Sequence, residues 1–175
     1  MTDADRAPLR IALVHHSPGL ETAQLARALL AVGHEADVVT TRGLPAAEKL
    51  LRYRGFATPL TQVPSTFAAL ARGHYDLAHA FSPQDALATL LWRRRGGGPV
   101  VFTPVEPPRR ETLADRRLSL KLVRRALDES DAVVALTPEH RDAFSRWLAL
   151  DVPVIEAPDA AGWDRLYREL SGVRA

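Results

Sequence analysis

Four of the strands expected in this 175-residue sequence end in a hydroxyl side chain directly before proline: Ser17-Pro18, Ser82-Pro83, Thr103-Pro104 and Thr137-Pro138. Such a pair suits the entry to a helix. The hydroxyl accepts an orphan backbone N–H, and proline pre-sets the first turn. Helix N-termini favour anions, so a cluster of such entries is a place to hold a phosphate or carboxylate. Histidines stand beside three of them: His16 before Ser17, His79 before Ser82 and His140 after Pro138. An imidazole there can donate, accept or exchange a proton with a ligand.

Other chemistries are excluded. His15 and His16 are adjacent, so on a strand they point to opposite faces and do not chelate one ion together. His74 and His79 are five apart, which is not the spacing of a helical metal pair. No metal is expected. There is no cysteine, hence no disulfide, thiolate nucleophile or zinc–thiolate site. The first turn carries Gly19 alone, where the dinucleotide fingerprint needs three glycines and an acid closing the second strand; here that strand ends in Thr40-Thr41. No phosphate-loop Gly-Lys-Ser/Thr and no Gly-x-Ser-x-Gly elbow occurs. No cofactor is expected, and the first turn alone is expected to bind phosphate weakly.

Short apolar runs alternate with helical patterns and must position these residues. "LRIALV" (Leu9–Val14) reads as a buried strand, and "ETAQLARALLAV" as a helix ended by Gly33. "ADVVTT" is a strand, "PAAEKLLRYRGF" a helix and "PLTQV" a weak strand; Ser65 caps a helix in "TFAALARG". Strands "YDLAHAF", "PVVFT", "DAVVAL" and "PVIEA" then alternate with helices in "PQDALATLLWRRR", "TLADRRLSLKLVRRALDE", "PEHRDAFSRWLAL" and "AAGWDRLYREL". This order predicts a mostly parallel sheet with helices on both faces, joined by right-handed crossovers. All four hydroxyl–proline junctions then lie at the carboxyl edge, where open α/β sheets bind ligands.

Composition is that of one ordinary globular domain: 46% apolar, 25% charged, formal charge +2. The weak basic excess gives no reason to expect nucleic acid. The polar start "MTDADRAPLR" is no secretory signal, and no run reaches the length of a membrane helix. A cytoplasmic location is expected. Arg117, Lys121, Arg124 and Arg125 fall together beside an apolar arc on one helix. They form a solvated face or a surface for peripheral membrane contact. Trp163, Leu166, Tyr167 and Leu170 make an apolar stripe that docks on the domain's own core or in a partner groove.

As an ordered set, "LRIALVHHSPG", "LARALLAVGHEADVVTT", "YDLAHAFSP", "PVVFTP" and "DAVVALTPEHRDAF" resemble the N-terminal domain of glycosyltransferase family 4, from about Leu9 to Pro158. The resemblance implies a single Rossmann-like α/β domain, the N-terminal half of a retaining GT-B enzyme. It divides the chain into an N-terminal segment 1–8, the domain 9–158 and a C-terminal helix 159–175 that packs back on it. In the family this half holds mostly the acceptor, while a C-terminal half holds the nucleotide-sugar donor. Several departures stand out. No two glutamates are eight apart, so the donor-binding Glu-x7-Glu is absent. The paired glycines of the first loop are reduced to Gly19, and that loop with its helix is about one turn short. Val105, followed by Glu106, stands where the family often has a histidine near the reacting sugar. The family's "HaH" reads His79-Ala80-Phe81.

The resemblance implies an acceptor-side module, non-catalytic or half an enzyme (a pseudoenzyme or split enzyme), working with a donor-binding glycosyltransferase partner or as a homo-oligomer. The alternatives are an autonomous retaining transferase and a small-molecule sensor, and a sugar or lipid is the expected acceptor. Candidate ligand-binding residues are His16, Ser17, Gly19, His79, Ser82, Glu106, Arg109, Arg110, Thr137 and His140.

Overall fold

The computed structural model describes residues 7–40, 50–52, 59–105, 117–148, 154–156 and 159–172. In chain order the elements are β1 (Arg10–Val14), α1 (Leu20–Ala31), β2 (Glu35–Thr40), β3 (Leu50–Arg52), α2 (Pro59–Gly73), β4 (Leu77–Ala80) and α3 (Pro83–Arg94). There follow β5 (Val100–Phe102), α4 (Arg117–Glu129), β6 (Ala132–Ala135), α5 (Pro138–Leu148), β7 (Val154–Glu156) and α6 (Ala160–Leu170). The strands form one seven-stranded sheet in the order β3-β2-β1-β4-β5-β6-β7, every pairing parallel.

Alternation along each strand builds two layers of core. Ile11, Leu13, Leu77, Val101 and Val134 point to one face, under Leu25 and Leu29 of α1 and Trp163 and Tyr167 of α6. On the opposite face, Ala12, Val14, Val39 and Ala78 meet Leu70 of α2 and Trp92 of α3. Ala80, Phe102, Val133 and Ala135 of that face meet Ala86 of α3, Val123 and Leu127 of α4 and Phe144 of α5. Both faces of the sheet are therefore sealed, as a parallel sheet requires. On α4, Lys121 and Arg124 are exposed and Arg125 pairs with Glu129 at 3.0 Å. Arg117 opens that helix.

Caps and close approaches fix the junctions. Gly33 follows α1 with φ +92°, and the His34 and Gly33 N–H groups return to Leu29 and Leu30 carbonyls at 3.0 and 3.1 Å. Glycine suits this left-handed turn. Gly98 is needed for a different reason: a Cβ there would lie 1.9 Å from the Asp76 carbonyl oxygen.

Three local expectations are corrected. "PLTQV" is no strand but the start of α2, which runs from Pro59 to Gly73. Val63, Phe67 and Leu70 recur at helical spacing, and Pro64 removes only one intrahelical bond near the helix start. Ser65 lies inside α2 and does not begin it. Within "PAAEKLLRYRGF", Leu50–Arg52 form β3 instead of a helix, because they pair with Val38–Thr40 on the open edge of β2. The remainder of that stretch, and residues 112–116 of the helix expected before Arg117, lie outside the described residues.

Candidate functional site

β1 and β4 are neighbours, yet the chain leaves them in opposite directions, β1 toward β2 and β4 toward β5. A crevice therefore opens at their carboxyl ends, the usual ligand position in an open α/β sheet. His15 and His16 follow β1 there, and Phe81 and Ser82 follow β4.

Asp85 organises this crevice. It sits in the first turn of α3, favoured by the helix dipole, and its side chain is 0% exposed. Ser82 caps α3, accepting the Asp85 N–H at 3.2 Å, and its hydroxyl donates to Asp85 Oδ2 at 2.6 Å. Gln62 of α2 donates to Oδ1 at 2.8 Å. The His16 backbone N–H reaches Oδ2 at 3.2 Å, and His16 Nδ1 lies 3.0 Å from the same oxygen. With an acceptor opposite, Nδ1 carries the proton, which fixes the tautomer and holds the ring. The His16 side chain remains 37% exposed. The result is a half-exposed imidazole oriented by a buried carboxyl group, an arrangement able to contact or exchange a proton with an acceptor hydroxyl.

The other histidines of the strand ends are buried. His15 stacks on Phe81 at 5.3 Å between ring centroids, with Nδ1 2.7 Å from Thr22 Oγ1. Burial pushes its imidazole down to about 4, against the opposing pull of Asp85. His79 is 0% exposed, with Nδ1 2.6 Å from the Tyr167 hydroxyl and Nε2 2.7 Å from Thr103 Oγ1. Burial pushes it down to about 3, so the ring is neutral. His79 is thus a core residue that ties α6 to the sheet, not a rim residue. His34 makes a second tie. Its Nδ1 accepts the Leu9 N–H at 3.2 Å, which leaves Nε2–H facing Asp164 Oδ1 of α6 at 2.8 Å.

The hydroxyl–proline junctions divide. Ser82 and Thr137 cap their helices, Thr137 Oγ1 accepting the His140 N–H at 3.3 Å. Ser17 does not, since Gly19 is the cap residue of α1 and gives no side-chain bond. Thr103 faces His79 instead. Ser17 is exposed, and His140 is buried beside Phe144, burial lowering its affinity for a proton. Among the ten candidates, His16 and Ser82 meet on Asp85; Glu106, Arg109 and Arg110 lie outside the described residues. Among the described residues no group of three or more His, Asp or Glu side chains could hold a metal. No helix there is long and apolar enough to cross a membrane.

Beside the crevice lies a cavity of about 320 Å³. Leu25 and Ala28 of α1 and Ala160 and Trp163 of α6 form two walls, with Phe81, Val105 and Leu136 from the strand ends. Its polar side chains are Glu21, Gln24 and Thr103. The Glu21 carboxylate also lies across the start of α1, its Oε2 2.6 Å from where a Cβ on Gly19 would stand. Sequence reading missed Asp85, Gln62 and Glu21, and placed Tyr167 on the core without its bond to His79. Only Asp85 had a signal, the Ser82-x-x-Asp85 pattern of a capping box.

Comparison with known proteins gives the same outline. The family model described as Glycosyltransferase Family 4 matches residues 22–156. No curated protein matches the chain. Among solved structures, a piece of sucrose-phosphate synthase from Thermosynechococcus elongatus, designated 27_220_406_426, superposes with a TM-score of 0.71 at 19% identity. The match covers 92% of this chain and 98% of that piece. The longer sucrose-phosphate synthase chain also gives 0.71 at 18% identity, covering 86% of this chain and 48% of that one. Anabaena HepE in complex with UDP-glucose gives 0.54 at 18% identity, covering 79% of this chain and 40% of that one. The present chain thus spans about half the length of the longer structures it matches, and these likenesses show the fold.

Proposed function

Because the chain belongs to glycosyltransferase family 4, we propose that it is the acceptor-side module of a sugar transferase, working with a separate donor-binding glycosyltransferase partner. One observation carries this reading. The Glu21 carboxylate occupies the N-terminal end of α1, where a donor diphosphate would approach the helix. Like charge opposes that approach, and Gly19 has no second glycine beside it to admit backbone contact. The acceptor side keeps its equipment: the oriented His16 ring and the adjoining cavity.

The test is a pair of measurements. Calorimetric titration of UDP-glucose, the ligand of HepE, into the purified chain is expected to give dissociation constants no tighter than about 1 mM, roughly 4 kcal/mol of binding. Transfer from a nucleotide sugar is expected only when a donor-binding chain is added. Micromolar binding, or turnover by the chain alone, would overturn the module reading in favour of an autonomous retaining transferase. The cavity favours one second reading, a small-molecule sensor: ligand uptake with no transfer in any pairing would select it.

A further inference from the structure

The cavity between α1 and α6 has a definite chemical character. Phe81 and Trp163 give it aromatic walls, and Leu25, Val105 and Leu136 extend the apolar lining. A volume of about 320 Å³ has room for a single or fused ring system. The polar equipment is sparse. Thr103 already engages His79, which leaves Glu21 and Gln24 to meet a ligand. A sugar ring would bury several hydroxyls there with few partners, at a cost for each one left unpaired. A flat apolar body fits better.

Charge sets the remaining property. Glu21 supplies a carboxylate at the rim, and among the described residues no Arg, Lys or His lines the cavity. The N-terminus of α1 offsets only part of that charge, since a helix end is equivalent to about half a unit of positive charge. The indole of Trp163 also attracts cations, while Phe81, stacked on His15 and His79, adds apolar contact. We infer that this cavity binds a protonated amine carried on a flat apolar ring system, with Glu21 selecting the charge. As a claim about which acceptor the module takes, this rests on the acceptor-side reading; as a claim about binding, it rests on the cavity alone.

Three naphthalene probes of one shape test it: naphthylmethylamine, naphthylmethanol and naphthoate, titrated by calorimetry at neutral pH without any nucleotide sugar. The amine is expected to bind tightest and the carboxylate weakest, about tenfold or more apart. Glu21→Gln is expected to weaken the amine selectively and bring the three within about threefold. Ala28→Phe fills the cavity and is expected to weaken all three, with circular dichroism reporting the fold. Should that variant fail to fold, Ala160→Leu fills the cavity from the α6 side. Equal affinities for the three probes, indifference to Glu21→Gln, or full binding by a folded cavity-filling variant would overturn the inference. So would the failure of all three to bind. That last result leaves the donor-partner assay to decide the acceptor-side reading separately.

Discussion

The Tyr167 hydroxyl lies 2.6 Å from His79 Nδ1, joining the last helix to the middle of the sheet across 88 positions of sequence. Both groups are fully buried, and burial pushes the phenol's proton loss well above its ordinary range. Tyr167→Phe keeps the ring and leaves the imidazole nitrogen without its partner. An unpaired buried polar atom costs about 1–3 kcal/mol. The unfolding free energy is expected to fall by that amount, read as a lower urea midpoint at unchanged slope. A midpoint equal to wild type would show that the bond adds nothing.

Acidification acts through the buried imidazoles. His15 and His79 have folded values of about 4 and about 3, below the ordinary 6.5. Depressed values mean that the unfolded chain binds protons the folded chain refuses. Their contribution is complete above the ordinary value and is lost as pH falls through it toward the folded values. Each group is expected to remove about 2 kcal/mol between neutrality and pH ~5. Denaturant unfolding across that range measures it, and His79→Asn is expected to flatten the slope. A wild-type stability constant over the range would contradict the burial argument.

Asp85→Asn tests the organising role of that carboxyl. Ser82, Gln62 and the backbone N–H and ring Nδ1 of His16 converge on it, and an amide offers one acceptor oxygen in place of two. A loss of about 2–4 kcal/mol is expected, as for other buried charged acceptors. Nitrogen-detected NMR is expected to show the His16 tautomer, held on Nδ1–H in wild type, become mixed. An unchanged tautomer would mean that Asp85 does not orient the ring.

Gly98→Ala probes backbone crowding. Its Cβ would stand 1.9 Å from the Asp76 carbonyl oxygen, which cannot swing aside like a side chain. A loss of about 1–3 kcal/mol is expected, typical of overpacking. Thermal unfolding reads it, and Gly97→Ala, which would crowd the Trp92 ring instead, is the comparison at the next position.

Legibility in the sequence followed the range of the forces involved. The apolar runs of β1, β4, β5 and β6 and the Ser82-Pro83 cap are local signals, and each formed as expected. Leu50–Arg52 carry no such signal; pairing with β2 makes them a strand. Val63 and Phe67 suit either periodicity over a short window, and only the length of α2 decides between them. The site was harder to read, because its central bond joins His16 to Asp85 across 69 positions. His79 showed itself as a histidine near a strand end. That both ring nitrogens are engaged follows from tertiary structure, the pairing of β4 with β5 bringing Thr103 and the packing of α6 bringing Tyr167.

The placement of α6 also orders events during synthesis. The layer built by Ile11, Leu13, Leu77 and Val101 is roofed partly by Trp163 and Tyr167. Arg168 reaches the Ala7 carbonyl across 161 positions. A ribosome therefore releases most of this domain before one side of its sheet, covered until then by α1, has its full cover. During that interval the nascent chain shows water the oily ground that Trp163 and Tyr167 will cover, the sort that chaperones grasp.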